Sequence, residues 1–382
     1  MSNVRDRQRA ELHHRAKAVA HGYERIHLQR PRLSHNEIVR AFVAERSAII
    51  ARASLSSAKT LSERTSSLLR SGNAKLSDVA LHVTIAELRQ DYSHFAGWDL
   101  EDIRQLVAED IQNTLGYVPD GSLVSIEKRR ERDRFLASAD GYRAYLEATF
   151  GAIPPQRPPT AGWENAVLRT QSEWESALQQ VYQLGLPAHF QAPKNWDGLA
   201  AIDCVLRKKP SDARILDAGA ELYSVFLPSL SLYGYVHLLG INLVFEDQIN
   251  LGPIRYQHGN LVSTDFPANT FDVVACLSVV EHGVDLANYF AEMFRILRPG
   301  GLLITSTDYF ETTIDVKGAV DFGRPVHIFD RNEITEALAQ ARARGFELTS
   351  PLDLNCMDKP VRWEEFNLDY TFLIFTLRKA GE

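Results

Sequence analysis

Ala213-Arg-Ile-Leu-Asp-Ala-Gly219 is the stretch of sequence that decides the fold. Its apolar residues run directly into a carboxylate and a glycine, as in a buried strand that ends at a turn. Pro210 and Ser211 come just before it, which favours the end of a helix and the start of a strand. Open α/β sheets bind their ligands at the carboxyl ends of their strands. The chemistry is therefore expected beside Asp217 and Gly219.

The composition is that of a folded, water-soluble chain with room for two domains. It has 382 residues, of which 45% are hydrophobic and 24% charged. The three cysteines, Cys204, Cys276 and Cys356, form neither a disulfide framework nor a C-x-x-C site. The first residues are polar, and the longest apolar-rich run, 235–245, is too short to span a bilayer. We expect a cytoplasmic protein with no membrane span.

The charge is unevenly distributed along the chain. Residues 1–70 hold 14 Lys and Arg against 6 Asp and Glu, whereas the whole chain has a net charge of −7. Residues 161–382 alone have a net charge of −11. The acidic C-terminal half argues against a nucleic acid lying across it.

The pattern of residues predicts two domains joined by a proline-rich segment. Residues 1–151 have apolar residues at helical spacing and are expected to form a helical domain, whose role the sequence does not indicate. Residues 152–160 contain four prolines and are expected to be an extended linker. Residues 161–382 are expected to form an α/β domain with its core at 196–379.

In the α/β domain, predicted strands alternate with predicted helices, which is typical of a doubly wound, mostly parallel sheet. Asp330 and Glu333 have the spacing of a helix capping box. The last two strands have no helical pattern between them and are expected to be antiparallel. The seven predicted strands are 215–217, 235–242, 254–258, 271–278, 302–307, 346–352 and 370–379.

One long run carries a resemblance to a known family. It comprises Phe266-Pro-Ala-Asn-Thr-Phe-Asp-Val-Val-Ala-Cys-Leu-Ser-Val-Val-Glu-His-Gly283, a helix, and Leu297-Arg-Pro-Gly-Gly-Leu-Leu-Ile304. It resembles the fourth strand, following helix and fifth strand of class I S-adenosylmethionine-dependent methyltransferases. The resemblance covers about residues 196–379. It implies a Rossmann-like, seven-stranded sheet of order 3-2-1-4-5-7-6, with the last strand antiparallel, and S-adenosyl-L-methionine as the cofactor.

The resemblance assigns the first cofactor contacts to Asp217, Ala218 and Gly219. Asp217 would orient the amino group of the cofactor. Gly219 would let the backbone approach the methionine part of the cofactor, which a Cβ atom would obstruct. Glu221 stands where the family usually has another glycine, so a wider loop is expected.

The remaining cofactor contacts follow from the ends of later strands. Asn242 stands where the family has an acidic residue that binds the ribose hydroxyls. Asn260, followed by Leu261, stands where the family often has an aspartate that binds the adenine amino group. The segment from Ser278 through Glu281 to His282 would line the cofactor.

Catalysis would need a nucleophile held in line with the methyl carbon and, for an oxygen acceptor, a general base. The candidates for the base are His282, Asp308 and His327. No metal site is expected, because the sequence contains no metal-ligand spacing.

Two aromatic elements are expected around the acceptor. The insertion 308–324, with Tyr309, Phe310 and Phe322, would form a lid or an acceptor pocket. Trp196 would close the other side of the site.

The sequence leaves the acceptor open. A small-molecule or glycan-type acceptor is favoured, because the Asn-Pro-Pro-aromatic motif used on nucleobases and amides is absent. An RNA or protein methyltransferase recruited by the basic N-terminal half is an alternative, as is a non-catalytic binding module with the same fold. Self-association through the N-terminal helices also stays open.

Overall fold

The chain divides into two compact units, Met1–Phe135 and Leu136–Glu382. The computed structural model describes residues 2–53, 55–70, 74–88, 98–321, 324–364 and 366–381. The predicted linker, residues 152–160, lies inside the second unit. Within these described ranges, no helix is long and apolar enough to cross a membrane.

The first unit is helical, as the sequence predicts. Its core is formed by buried aliphatic residues with Tyr23 and Phe42, contributed by several helices. The charged run near its end is partly used in ion pairs, since Arg132 Nε donates to Glu24 Oε1 at 2.8 Å. Its helices are α1 (Ser2–Gln29), α2 (His35–Ala53), α3 (Leu55–Arg70), α4 (Leu76–Leu88), α5 (Leu100–Leu115) and most of α6 (Leu123–Ala137).

The second unit combines one large sheet with six further helices among its described residues. The helices are α7 (Ala139–Phe150), α8 (Gln171–Gln183), α9 (Asn195–Lys208), α10 (Phe226–Leu232), α11 (Leu286–Ile296) and α12 (Arg331–Ala343), with a 3₁₀ turn at Ala192–Lys194. The strands are β1 (Ala166–Val167), β2 (Arg214–Ala218), β3 (His237–Asn242), β4 (Ile249–Leu251), β5 (Ile254–His258), β6 (Phe271–Leu277), β7 (Leu297–Tyr309), β8 (Val320–Asp321), β9 (Arg324–Pro325), β10 (Phe346–Leu348), β11 (Val361–Trp363) and β12 (Leu368–Lys379).

The order of the main strands confirms the predicted topology. Strands β5, β3, β2, β6 and β7 lie side by side and parallel. β12 pairs antiparallel with β7, and β10 pairs antiparallel with β12. In the numbering of the seven predicted strands this is the order 3-2-1-4-5-7-6. The short strands β4, β1 and β11 extend the sheet, with β4 on β5 and the other two on β12.

Helices cover both faces of this sheet. Alternate strand residues such as Leu216, Val274 and Leu303 share a core with α11 and α12. The intervening residues point to the opposite face, because side chains alternate along a strand. There α9 and α10 contact β6, β3 and β5. The predicted capping box is confirmed at the start of α12, where Asp330 and Glu333 satisfy each other's backbone N–H groups. The parallel strands thus all end at one edge, which we call the carboxyl edge.

Candidate functional site

Asp217 is a buried carboxyl group near the end of β2, the central strand. It is 4% exposed. Among the described residues no side chain or backbone N–H group donates a hydrogen bond to it. Burial raises the pKa of Asp217 to about 7. An unpartnered buried carboxylate is costly, so this position favours a ligand that brings a cation or a hydrogen-bond donor.

Gly219 follows β2 in a backbone conformation that requires glycine. Its φ is +97°, and a Cβ atom there would lie 2.5 Å from Cγ2 of Val279. Its N–H group donates to the carbonyl oxygen of Ile241 at 2.8 Å. The predicted close approach of the backbone at this position therefore has a steric basis: the chain turns between β3 and the segment after β6, where there is no room for a side chain.

Asn242, at the end of β3, holds this glycine loop. Its Nδ2 donates to the carbonyl oxygens of Gly219 at 3.2 Å and Ala220 at 3.0 Å. Its Oδ1 accepts from the Val244 N–H group at 3.3 Å, which leaves one lone pair for a ribose hydroxyl. Here Asn242 is a positioning residue, and its contact with the ribose stays a prediction.

The loop after Gly219 and the turn after β5 lie at the same edge. A turn from Glu221 to Ser224 precedes α10, with the Ser224 N–H group donating to the Glu221 carbonyl oxygen at 3.0 Å. Asn260 is exposed, and its Oδ1 accepts from the Val262 N–H group at 3.1 Å. Leu261 is half-buried against the core. The adenine contact of Asn260 and Leu261 stays a prediction.

A cluster of buried ionisable groups lies where β6 and β7 end. Nζ of Lys194 donates to Ser278 Oγ at 2.5 Å and lies 3.5 Å from Asp308 Oδ1. The same ammonium lies 4.1 Å from the centroid of the Phe372 ring, a cation–π contact. Ser278 has a φ of +55°, which is uncommon for a residue with a side chain. Lys194 therefore ties the 3₁₀ turn to the ends of two strands.

Two more carboxyl groups complete this arrangement. Asp197 Oδ2 accepts from Ser306 Oγ at 2.5 Å and from Ser278 Oγ at 3.5 Å. Glu281 Oε2 accepts from Thr307 Oγ1 at 3.2 Å. Both side chains are buried. We call Lys194, Asp197, Glu281 and Asp308 the Lys194 cluster.

Burial dominates the electrostatics of the Lys194 cluster. It raises the pKa of Asp308 to about 7, with Lys194 opposing the shift and Glu281 adding to it. Burial also raises the pKa values of Asp197 and Glu281, again against the charge of Lys194. Burial alone would lower the pKa of Lys194, but the three carboxyl groups outweigh it and the pKa is raised. The ammonium is thus firmly charged, whereas burial favours the protonated form of the carboxyl groups.

The two candidate histidines lie in different places. The positive charge of a protonated His282 lowers the pKa of Asp308. His327 pairs with a different carboxylate. Its Nε2 lies 3.1 Å from Glu333 Oε1, and its ring packs edge-on against Phe329. His327 comes just before α12, within reach of the first turn of that helix.

The aromatic residues expected to cover the acceptor are mostly part of the core. Tyr309 is fully buried, and its hydroxyl donates to the Leu354 carbonyl oxygen at 2.7 Å. Trp196 is buried and stacks on Trp163 at 6.0 Å. Phe310 packs against Lys359 Nζ at 4.3 Å, and Phe322 lies outside the described residues. Apolar character alone does not distinguish a lid from a core.

Sequence reasoning missed Lys194 and Asp197. Lys194 occupies the N-cap position of α9, where Ser, Thr, Asp or Asn is preferred and a positive charge opposes the helix dipole. A lysine at this position therefore indicates that the residue has a role outside the helix. Asp197 gives no such signal, because acidic residues are common in a first helical turn.

These residues fit S-adenosylmethionine. Asp217 offers an unpartnered carboxyl group to the amino group of the methionine moiety, and Gly219 leaves space where a Cβ atom would obstruct the approach. Asn242 keeps that loop in place. Such a combination at the carboxyl edge suits a cofactor that carries an ammonium group.

Comparisons with known proteins point to the same chemistry. Residues 237–305 match the family described as "Methyltransferase domain". The chain is 27% identical over 120 residues to a sterol 24-C-methyltransferase of Neurospora crassa, covering 29% of this chain and 31% of that protein. It is 37% identical over 102 residues to a probable S-adenosylmethionine-dependent methyltransferase of Mycolicibacterium smegmatis, covering 26% of this chain and 37% of that protein. The chain thus spans about a third of these curated relatives.

Solved structures of methyltransferases also align with part of the chain. One is an S-adenosylmethionine-dependent methyltransferase of Mesorhizobium loti, with 19% identity and a TM-score of 0.35, covering 47% of this chain and 97% of that one. Another is a geranyl diphosphate C-methyltransferase of Streptomyces coelicolor, with 13% identity and a TM-score of 0.38, covering 54% of this chain and 83% of that one.

Proposed function

We propose that the C-terminal half, which is a class I S-adenosylmethionine-dependent methyltransferase domain, transfers the methyl group of its cofactor to a small-molecule acceptor. The observation that carries the proposal is the meeting of two features at the carboxyl edge. One is the glycine loop with the unpartnered Asp217, and the other is the buried Lys194 cluster. The first suits the cofactor and the second suits proton transfer at the acceptor.

The residues divide the work as follows. S-adenosylmethionine supplies a methyl group that its sulfonium has already activated for transfer. Asp217 orients the cofactor through its amino group, and Gly219 lets the backbone approach it. Asp308 or His282 accepts the proton that the acceptor loses. Such a base contributes roughly 10²- to 10⁴-fold in rate.

A small molecule is the acceptor class that the observations favour. The relatives named for a sterol and the neighbour named for geranyl diphosphate act on small molecules, and the C-terminal half is acidic. The narrower preference for a glycan-type acceptor is supported by the sequence alone.

The experiment that tests the proposal is calorimetric titration of the full chain with S-adenosylmethionine and S-adenosylhomocysteine. We expect micromolar affinity for both ligands, because Asp217 and the glycine loop recognise the part that they share. Absence of binding by either ligand would contradict the proposal and favour a non-catalytic binding module.

The placement of the candidate bases gives a second prediction. We expect His282→Ala and Asp308→Asn each to lower kcat by about 10²-fold or more, whereas His327→Gln stays within about twofold because its partner is Glu333. In the unmodified protein, kcat/KM rises as the pH increases through about 7, where Asp308 loses its proton. The measurement is the initial rate of labelled methyl transfer to an acceptor found by screening. A larger loss in His327→Gln than in the other two would overturn this assignment.

A further inference from the structure

Three aromatic rings form a cluster beside the glycine loop. They belong to His189, Phe190 and Tyr223, and we call this cluster the aromatic corner. The His189 and Phe190 rings stack with their centroids 4.6 Å apart, and the Tyr223 ring stands nearly perpendicular to Phe190 at 5.5 Å. Phe190 is nevertheless 72% exposed and Tyr223 38% exposed. Single exposed apolar residues are normal, whereas a group of them in mutual contact is a feature of ligand sites and interfaces.

A buried asparagine fixes the segment that holds two of these rings. Asn195 is 1% exposed, and its Oδ1 accepts from the His189 N–H group at 2.8 Å. Its Nδ2 donates to the carbonyl oxygens of His189 at 3.2 Å and Ala192 at 2.9 Å. Breaking such buried hydrogen bonds is costly, so the backbone beside Phe190 is held in place. A ring that is held in advance loses little conformational freedom when a ligand binds to it.

The aromatic corner joins the two parts of the candidate site. Tyr223 lies in the loop that leaves β2 after Gly219. Phe190 lies in the segment before α9, in which Lys194 follows, with its ammonium 3.5 Å from Asp308 Oδ1. The contact between the Phe190 and Tyr223 rings therefore connects the loop proposed to hold the methyl donor with the segment that reaches a candidate base. A molecule bound at the corner lies at the carboxyl edge, where the acceptor is needed.

The chemistry of the corner favours an uncharged, apolar ligand. Burial, together with the charge of Lys194, lowers the pKa of His189 to about 4, so its ring is neutral at pH 7. Nδ1 of that ring accepts from the Gln191 N–H group at 3.1 Å. The surface that Phe190 presents is ring carbon beside a neutral imidazole. A sugar needs hydrogen-bond partners for its hydroxyl groups, whereas a hydrocarbon needs only apolar contact.

We infer that the aromatic corner binds the apolar part of the methyl acceptor, and that this acceptor is a neutral molecule with a hydrocarbon skeleton. The inference rests on the proposed function and deepens it, because it names the class of acceptor. It selects a hydrocarbon over the glycan-type acceptor that the sequence favours. Phe190 and Tyr223 are then specificity-determining residues.

The test is a fluorescence titration of the full chain with Nile red, a neutral apolar dye that emits more strongly in apolar surroundings. We expect micromolar affinity, and we expect Phe190→Ala to weaken it roughly tenfold because the dye loses contact with the ring. The matched control is Phe150→Ala. Phe150 is 45% exposed and packs edge-on against Tyr145, and its removal is expected to change the affinity by less than about twofold. Equal affinities in Phe190→Ala and the unmodified protein, or equal losses in the two variants, would overturn the inference.

Competition identifies the class of ligand. Farnesol, a neutral isoprenoid alcohol, is expected to displace the dye at micromolar concentration, whereas maltose leaves it bound at millimolar concentration. Displacement by maltose, or a failure of farnesol to displace the dye, would overturn the choice of a hydrocarbon.

Two further measurements separate the acceptor from other occupants of the corner. The affinity for S-adenosylhomocysteine is expected to stay within about twofold in Phe190→Ala, and a loss as large as that for the dye would assign the ring to the cofactor and overturn the inference. Sedimentation that shows a dimer dependent on Phe190 would overturn it in favour of a second copy of the chain. Failure of the dye tests in a protein that binds S-adenosylhomocysteine leaves the proposed function intact, whereas binding of neither S-adenosylmethionine nor S-adenosylhomocysteine overturns both.

Discussion

Asp217→Asn is expected to lower the affinity for S-adenosylmethionine by about 10- to 100-fold and, at the same time, to make the protein more stable at pH 8. The loss of affinity follows because a hydrogen bond between a charged donor and a carboxylate is worth about 1.5–3 kcal/mol. The amide of asparagine keeps the shape of the side chain and removes its charge.

The gain in stability follows from the raised pKa of Asp217, about 7 in the folded chain against 3.8 as the ordinary value. Below the lower value the carboxyl group is protonated in both states and stability is unaffected. As the pH rises from there through about 7, the unfolded chain loses its proton more readily, so folding becomes less favourable. Above pH 7 the penalty is roughly 4 kcal/mol, and asparagine does not incur it.

The measurement combines ligand titration with urea unfolding at pH 5 and pH 8. The control is Asp272→Asn on the neighbouring strand β6, because Asp272 accepts hydrogen bonds from Arg298 and from the Arg214 N–H group. That substitution is expected to lower the free energy of unfolding without changing the affinity. An Asp217→Asn variant that is less stable at pH 8 would show that the carboxylate has a partner in the folded protein.

Gly219→Ala is expected to remove measurable binding of S-adenosylmethionine and to lower the free energy of unfolding by about 2–4 kcal/mol. Part of the cost is the left-handed conformation, and part is the contact of 2.5 Å between the new Cβ atom and Val279. The loop that Asn242 holds must move to avoid that contact. The backbone then no longer presents the same surface to the cofactor.

Gly234→Ala separates the two contributions. Gly234 has a φ of +87°, but nothing lies within 4 Å of its Cβ position, so only the conformational cost of about 1 kcal/mol applies. Val279→Ala combined with Gly219→Ala removes the two methyl groups that collide and is expected to restore part of the stability. Thermal unfolding and ligand titration of the three variants measure both effects. Equal losses in Gly219→Ala and Gly234→Ala would show that the contact with Val279 does not matter.

The order of the strands could be predicted from the sequence because each strand has a recognisable local sequence pattern. Asp217, Gly219 and Asn242 follow apolar runs, and such residues end strands wherever a parallel sheet presents its carboxyl edge. The placement of these residues at that edge needed no knowledge of distant contacts.

The Lys194 cluster could not be predicted in the same way. Lys194 meets Ser278 and Asp308 across 84 and 114 positions of sequence, and no local pattern indicates such contacts. His327 is a different case. Its pairing with Glu333 is local, but the sequence around His327 does not distinguish it from any other histidine near a strand end. Tyr309 and Trp196 were expected to cover the acceptor, but they fill the core.

The position of β12 has a consequence for how the chain is made. β12 pairs with β7, β1, β10 and β11, and its Phe372 ring lies over the ammonium of Lys194. On the ribosome, β7 emerges well before β12, so the nascent chain carries an unpaired, apolar strand edge for the time it takes to synthesise the intervening residues. Such edges recruit other chains. Chaperone contact during synthesis is therefore expected to fall on β7, and the cation–π contact of Lys194 forms only when Phe372 has left the exit tunnel.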